Sequence, residues 1–252
     1  MQWHEQSWPA LGSTSKDVPI VVPIAAVEQH GHHLPVFTDS FLLGEVVRRA
    51  ADELGEAVAW TPLLWLGNSH HHLDFPGTLS ASPRTYLDVL CDLCENVLAH
   101  GFRRVVLLNG HGGNIVPSSQ AVFEVRQRHR DRNDLLLLSA TYWLLGSKPA
   151  SVDSSLEQDH MEHACEWETS MMLRLAPKLV GAISGIEPVD SGKSFAPASR
   201  GWITRERSGP GHIGDPRVAT ADKGETLFRL FAADVVAFLK RVAAWDGRSW
   251  DE

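Results

Sequence analysis

The chain has 252 residues, 43% hydrophobic and 21% charged, with a formal net charge of -8. That length suits one α/β unit with a large core, and the composition is that of ordinary soluble proteins. The acidic balance argues against nucleic acid and anionic membrane as main partners. It is compatible with a small-molecule substrate.

No apolar run approaches the roughly 18–20 residues that span a bilayer. Met1 to Trp8 shows no basic stretch followed by an apolar one, so no secretory signal is expected. Val18 to Val27 reads as a buried strand ending in Glu28. Phe41 to Leu54 has helical periodicity, and Ala57 to Leu66 again reads as a strand. Pro83 to His100 predicts a helix capped by Ser82. Its stripe Leu87, Leu90, Cys91, Cys94, Val97, Leu98 puts Cys91 and Cys94 on the apolar face. This C-x-x-C is therefore read as two core thiols, not as a redox pair or half of a zinc site. With Cys165 the cysteines number three, which argues against a disulfide scaffold and for a reducing, cytoplasmic compartment.

Arg104 to Leu108 predicts a short buried strand, followed by a glycine-rich turn and a helix to about His129. Leu135 to Thr141 is the last strand, and His163 to Leu175 and Ala221 to Ala244 are helical by pattern. No repeat, low-complexity block or linker divides the chain, so residues 1–252 are expected to form one domain. Alternating strands and helices predict an α/β fold, a three-layer αβα sandwich with a mostly parallel central sheet. In such folds ligands collect beyond the C-terminal strand ends, where Glu28 and His111 both fall.

Three clusters carry chemistry. Glu28 and His30 are two apart and point to one side of an extended segment, with Asp39 nine residues after His30. Imidazole suits transition metals and carboxylates can bridge two ions, so Glu, His and Asp together at a strand end point to a dinuclear metal site. Alone, Asp39 would read as a helix cap. In Asn109-Gly110-His111-Gly112-Gly113-Asn114 the glycines permit a sharp turn with His111 at its apex. The amides of Gly112, Gly113 and Asn114 open a helix and favour developing negative charge. The glycine spacing excludes a dinucleotide-binding loop. The third cluster, Asp159 to Ser170, holds His163 as a candidate acid–base group beside Glu162, Glu166 and Glu168. Of His70, His71 and His72, at most one or two can reach a site, and His70 is taken as the candidate substrate contact. Among nine tryptophans, Trp65, Trp143, Trp167 and Trp202 lie near these motifs, with core or interface as the expected role of each.

Glu-Gln-His-Gly-x-His-Leu-Pro with Thr-Asp (28–39), Phe-Pro-Gly-Thr (75–78), Asn-Gly-His-Gly-Gly-Asn (109–114) and His-Ala-x-x-x-Glu-Thr-Ser (163–170) resemble the creatininase family in order and spacing. The ending, Gly214-Asp215-Pro216 through Lys223-Gly224-Glu225, resembles it as well. The resemblance implies two divalent ions, Zn or Mn with Fe also accepted, and a ring-like homohexamer. It implies that Glu28 and His111 hold one ion, His30 the other, and that Asp39 bridges. True creatininases carry a metal-binding Glu where this chain has Gly113, and a substrate-stacking Trp where it has Asp159. Glu168 is the candidate for the missing ligand.

The reaction expected from these ions is hydrolysis of a cyclic or other non-peptide amide C–N bond. His163 would protonate the departing nitrogen, and Glu162 would orient His163. Relatives in the resembled family include creatinine amidohydrolase, formamidopyrimidine deformylases and mycofactocin-type peptidases. A dinuclear phosphoesterase is the second enzyme reading, disfavoured because no arginine cluster is visible near the motifs. The non-enzyme reading is a metal-binding subunit without turnover.

Overall fold

A computed structural model describes residues 1–252 apart from Ser147, Ser191, Lys193, Ser194, Ala196, Asp251 and Glu252. Among the described residues four strands form one sheet: Ile20–Ile24 (β1), Ala59–Trp60 (β2), Arg104–Asn109 (β3) and Leu136–Thr141 (β4). They lie in the order β2-β1-β3-β4, every pair parallel. The helices are Trp8–Ser13 (α1), Thr38–Leu54 (α2), Pro83–Ala99 (α3), Ile115–Arg128 (α4), Pro149–Val152 (α5), Glu166–Leu175 (α6), Thr204–Arg207 (α7) and Ala221–Ala244 (α8).

Alternation along the strands explains the layers. Val106 and Leu108 of β3 face one way, into a core with Leu42, Val46, Met171, Phe228 and Phe231 from α2, α6 and α8. Val105 and Leu107 face the other, toward Tyr86, Leu90, Cys91, Cys94 and Ala121 from α3 and α4. A strand buried on both faces has no polar alternation, which is why Arg104–Asn109 reads as a continuous apolar run after its first residue. The result is the three-layer sandwich with a parallel sheet that the pattern predicts. Cys91 and Cys94 are free thiols in the core, as their helical stripe implies. No helix among the described residues is long and apolar enough to cross a membrane.

Four boundaries differ from expectation, each near the polar end of the sheet. The run from Val18 to Val27 is a strand only at Ile20–Ile24, because the chain then turns to pair Val27 with Leu79 and the Glu28 N–H with Val36 O. The predicted strand Ala57 to Leu66 shrinks to Ala59–Trp60. Pro62, which has no N–H, follows, and only Leu64 returns to bridge Ile24. The helix predicted from His163 starts at Glu166 instead. Ala164 adopts φ 49, a left-handed conformation that breaks helical continuity, and His163 pairs with Ile213. The helix predicted from Phe41 begins at Thr38, which draws Asp39 into its first turn.

Candidate metal centre

The sheet's C-terminal edge gathers the chemistry. Glu28 and His30 follow β1, His111 follows β3, and Asp39 and Glu168 occupy the first turns of α2 and α6. Acidic side chains are favoured there by the unpaired amides of a helix N-terminus. All five are buried, none more than 7% exposed. Buried charges at this density need partners.

Asp39 presents one carboxylate oxygen to each of two imidazoles. Oδ1 lies 3.3 Å from His30 Nε2 and Oδ2 lies 3.1 Å from His111 Nδ1. Glu168 Oε1 stands 3.7 Å from the same His30 nitrogen, and Glu28 Oε2 stands 3.2 Å from His111 Nε2. Ligand atoms about 2.0–2.2 Å from a common tetrahedral ion are about 3.3–3.6 Å apart, so the two carboxylates facing His30 Nε2 suit shared coordination. His111, by contrast, meets Asp39 through Nδ1 and Glu28 through Nε2 and can ligate through one of these nitrogens. His30 Nδ1 donates to the Glu28 carbonyl at 3.0 Å, which leaves Nε2 as the ligating nitrogen. Glu28 Oε2, His30 Nε2 and Asp39 Oδ2 are buried and have no hydrogen-bond partner among the described residues. Native interiors rarely leave such atoms unsatisfied, and divalent ions would satisfy all three. The donor set therefore fits divalent cations, which Glu28, His30 and Asp39 could hold together.

The electrostatics agree. Burial raises the Glu28 carboxyl to about 7 despite the nearby His111. Burial opposes charge on His111, but Glu28 and Asp39 override it and lift the imidazole to about 9. Burial likewise opposes charge on His30, and Asp39 with Glu168 carries it well above its ordinary range. Asp39 resists burial and falls below the usual carboxylate range because His30 and His111 face it. Protons thus stand where cations belong.

His163 joins this cluster, with Nδ1 3.5 Å from Glu28 Oε1 and its ring centroid 4.4 Å from that of His30. Glu162 lines the same cavity, but its carboxylate is taken by the Gln158 amide at 2.9 Å and faces His160 at 3.5 Å, not His163. Gly112 and Gly113 line the cavity. Asn114 is committed to the frame, its amide joining Asn68 N at 2.9 Å and Ala25 O at 3.0 Å. His70 is exposed and turns to Ser80 Oγ, whereas His71 and His72 reach the cavity. His72 is the residue the sequence pattern misses. Its Nε2 stands 3.3 Å from Glu28 Oε1, and no spacing rule separates it from the two histidines before it.

The cavity holds about 1180 Å³. Trp143, Trp167 and Trp202 line it, Trp167 while packed in the core as expected, and Trp65 does not reach it. Trp202 meets His71 edge-on at 4.9 Å, and His71 stacks on His111 at 5.8 Å. Arg207 lies 4.6 Å over the Trp202 ring, and Arg200 also lines the wall. The arginines absent from the motifs in sequence are thus present at the site in space.

Residues 4–239 match the family model described as Creatininase: Creatinine amidohydrolase. The chain belongs to the creatininase family. Members of this family are metal-dependent amidohydrolases. Creatinine amidohydrolase of Pseudomonas putida is 27% identical over 227 residues, 85% of each chain. The mycofactocin precursor peptide peptidase of Mycolicibacterium smegmatis is 32% identical over 241 residues, 90% of this chain and 86% of that one. A solved creatininase mutant of Zn-Zn type superimposes with a TM-score of 0.82 at 25% identity, over 95% of this chain and 97% of that one. The resemblance read from the sequence implies a carboxylate at the position of Gly113. A β-carbon there would meet Asn68 O at 2.2 Å and His111 Nε2 at 2.5 Å, so this backbone has no room for one.

Proposed function

We propose that this chain hydrolyses the C–N bond of a cyclic or other non-peptide amide. In this reading two divalent ions, zinc or manganese, are held by Glu28, His30, Asp39, His111 and Glu168. The observation that carries it is the placement of the Asp39 oxygens between His30 and His111, beside three buried polar atoms without partners. The Zn-Zn form of a solved creatininase supports the choice of zinc, and Glu, His and Asp donors also accept manganese and iron.

Divalent ions held by these residues would lower the pKa of bound water and polarise a carbonyl. The protein's own groups supply the remainder. His163, half-buried and held neutral by desolvation and the neighbouring imidazoles, moves a proton at Nδ1. Gly112 and Gly113 line the cavity, and their amides are the proposed donors to a developing oxyanion. Trp143, Met161 and Trp167 form apolar walls that limit water. Trp202 and His71 offer a face for a planar group. The cavity exceeds what a single five-membered ring such as creatinine fills, which, with Gly113 and Asp159, points to a larger substrate.

A second reading, release of residues from a short peptide, is favoured by that same volume and by the likeness to mycofactocin precursor peptide peptidases. The homohexamer implied by the resemblance is part of the proposal, and the three buried free thiols fit a reducing cytoplasmic compartment.

The test is a panel of creatinine, lactams, formamides, short peptides and p-nitrophenyl phosphate with zinc-loaded, manganese-loaded and chelator-treated protein. The expected result is metal-dependent amide hydrolysis, abolished by His111→Ala without unfolding. Hydrolysis of the phosphate ester alone would overturn the reading, as would full turnover by His111→Ala.

A further inference from the structure

Gln29 sits between two metal-ligand candidates, yet its side chain points away from them, into a pocket of backbone and imidazole. Its orientation is fixed by partners whose roles cannot change. Gly31 N–H donates to Oε1 at 2.9 Å, and Nε2 donates to Gly211 O at 2.8 Å. The pocket has no slack: Gly211 has φ +90, and a β-carbon there would stand 2.2 Å from Gln29 Oε1.

With that orientation set, the remaining proton of Nε2 has two imidazole nitrogens in reach, His72 Nδ1 at 2.8 Å and His163 Nε2 at 3.0 Å. The latter also lies 2.8 Å from the Gln29 carbonyl oxygen and donates there, which leaves His72 Nδ1 as the acceptor. Thr204 Oγ1 also reaches this nitrogen, at 3.0 Å. A neutral imidazole that accepts at Nδ1 carries its proton at Nε2. His72 Nε2–H then faces Glu28 Oε1 at 3.3 Å, an outer-shell contact that orients a metal-binding carboxylate. His163 follows by the same logic. Its Nε2 lies 2.8 Å from the Gln29 carbonyl oxygen, an acceptor only, so Nε2 must donate. The lone pair of His163 is therefore on Nδ1, the nitrogen that faces the Glu28, His30 and Glu168 cluster.

We propose that Gln29 is a positioning residue whose side-chain amide and main-chain carbonyl together set the tautomers of His72 and His163, leaving His163 Nδ1 free to receive a proton. This rests on the amidohydrolase reading above. In that reaction the water oxygen bonds to the carbonyl carbon and its proton passes to His163 Nδ1. The C–N bond breaks with its electron pair on nitrogen, and that nitrogen takes the proton from Nδ1. His163 is thus acceptor first and donor second. Its orienting group is Gln29, the part the sequence pattern gives to Glu162.

Long-range proton–nitrogen NMR of the imidazole rings tests this on 15N-labelled, zinc-loaded protein, with His72→Phe and His163→Phe for assignment. The expected wild-type spectrum shows both rings protonated at Nε2 and bare at Nδ1. Gln29→Glu replaces the donor with an acceptor of the same shape, so the His72 proton should move to Nδ1. Zinc affinity in chelator competition should then fall by about tenfold, as for other outer-shell losses. A wild-type His163 protonated at Nδ1 would overturn the proposal, as would Gln29→Glu with His72 still protonated at Nε2. The wild-type spectrum decides alone if that variant does not fold. The tautomers as stated, with no amide hydrolysed, would sink the amidohydrolase reading and leave the Gln29 assignment standing.

Discussion

Gly113 and His71 compete for one small volume: a β-carbon on Gly113 would stand 2.8 Å from His71 Cε1. His71 in turn stacks on His111, with ring planes 5° apart. The metal-facing histidine is therefore braced by a ring that fits only because residue 113 has no side chain. Gly113→Glu would add the carboxylate seen in true creatininases and yet should lose metal, because His71 and His111 must shift to admit it. Metal content by plasma mass spectrometry on folded protein checks this. Two ions per chain in Gly113→Glu, with activity retained, would show that the brace is dispensable.

In the proposed site Glu168 takes the place of that carboxylate. Its Oε1 faces His30 at 3.7 Å, and its Oε2 accepts the Ala164 N–H. The left-handed turn at Ala164, φ 49, thus links the Glu168 carboxylate to the segment bearing His163. Glu168→Gln should reduce bound metal from two ions toward one while Glu28, Asp39 and His111 keep theirs. Zinc titration should show one tight site retained and the other weakened.

Without metal, stability should depend on pH in a definite direction. Glu28, raised from 4.5 to about 7, and His111, raised from 6.5 to about 9, bind protons more tightly folded than unfolded. Their stabilisation is present at low pH and is lost as pH rises through those folded values. His30, also raised, acts in the same sense. His33, His71, His72, His163 and His212 are lowered, and with unfolded histidines neutral only by about pH 7.5 they oppose the trend below that and not above it. Asp39, lowered from 3.8, is ionised in both states across this window. The Tm of chelator-treated protein should fall from about pH 7.5 to 9, while zinc, which displaces these protons, stabilises more as pH rises. Calorimetric scans of both forms provide the check, and parallel curves would contradict the proton–metal exchange.

Lys223 and Glu166 form a buried pair at 2.6 Å, and the Glu166 carboxylate also accepts the N–H groups of Glu157 and Gln158. This ties the first turn of α8 to the segment that leads to His163. Lys223→Met should destabilise by about 3 kcal/mol, since it leaves a carboxylate buried without its counter-ion. Adding Glu166→Gln should recover part of that loss in denaturant unfolding, as a neutral amide costs less to bury.

Much of this was legible in the sequence, and the failures have physical reasons. The apolar runs of β1 and β3 and the capped repeat of α3 announce a parallel sheet with helices on both faces, because burial on two faces forbids polar alternation. Glu28, His30, Asp39 and His111 stand out because ligating residue types cluster at strand ends. The roles of His72 and Gln29 were hidden. Each depends on a contact across tens of residues, His72 with Glu28 and Gln29 with Gly211, which no local period encodes. Ala164 broke the helix predicted from His163 because tertiary contacts override helical propensity there. Arg200 and Arg207 were invisible as a cluster because folding, not spacing, brings them to the Trp202 wall.

Anomalous diffraction at the zinc edge, on crystals of zinc-loaded protein, tests the central claim most directly. The account predicts two peaks per chain, one beside Glu28, Asp39 and His111 and the other beside His30, Asp39 and Glu168. A single peak, or density that leaves Asp39 out of contact with both ions, would contradict it.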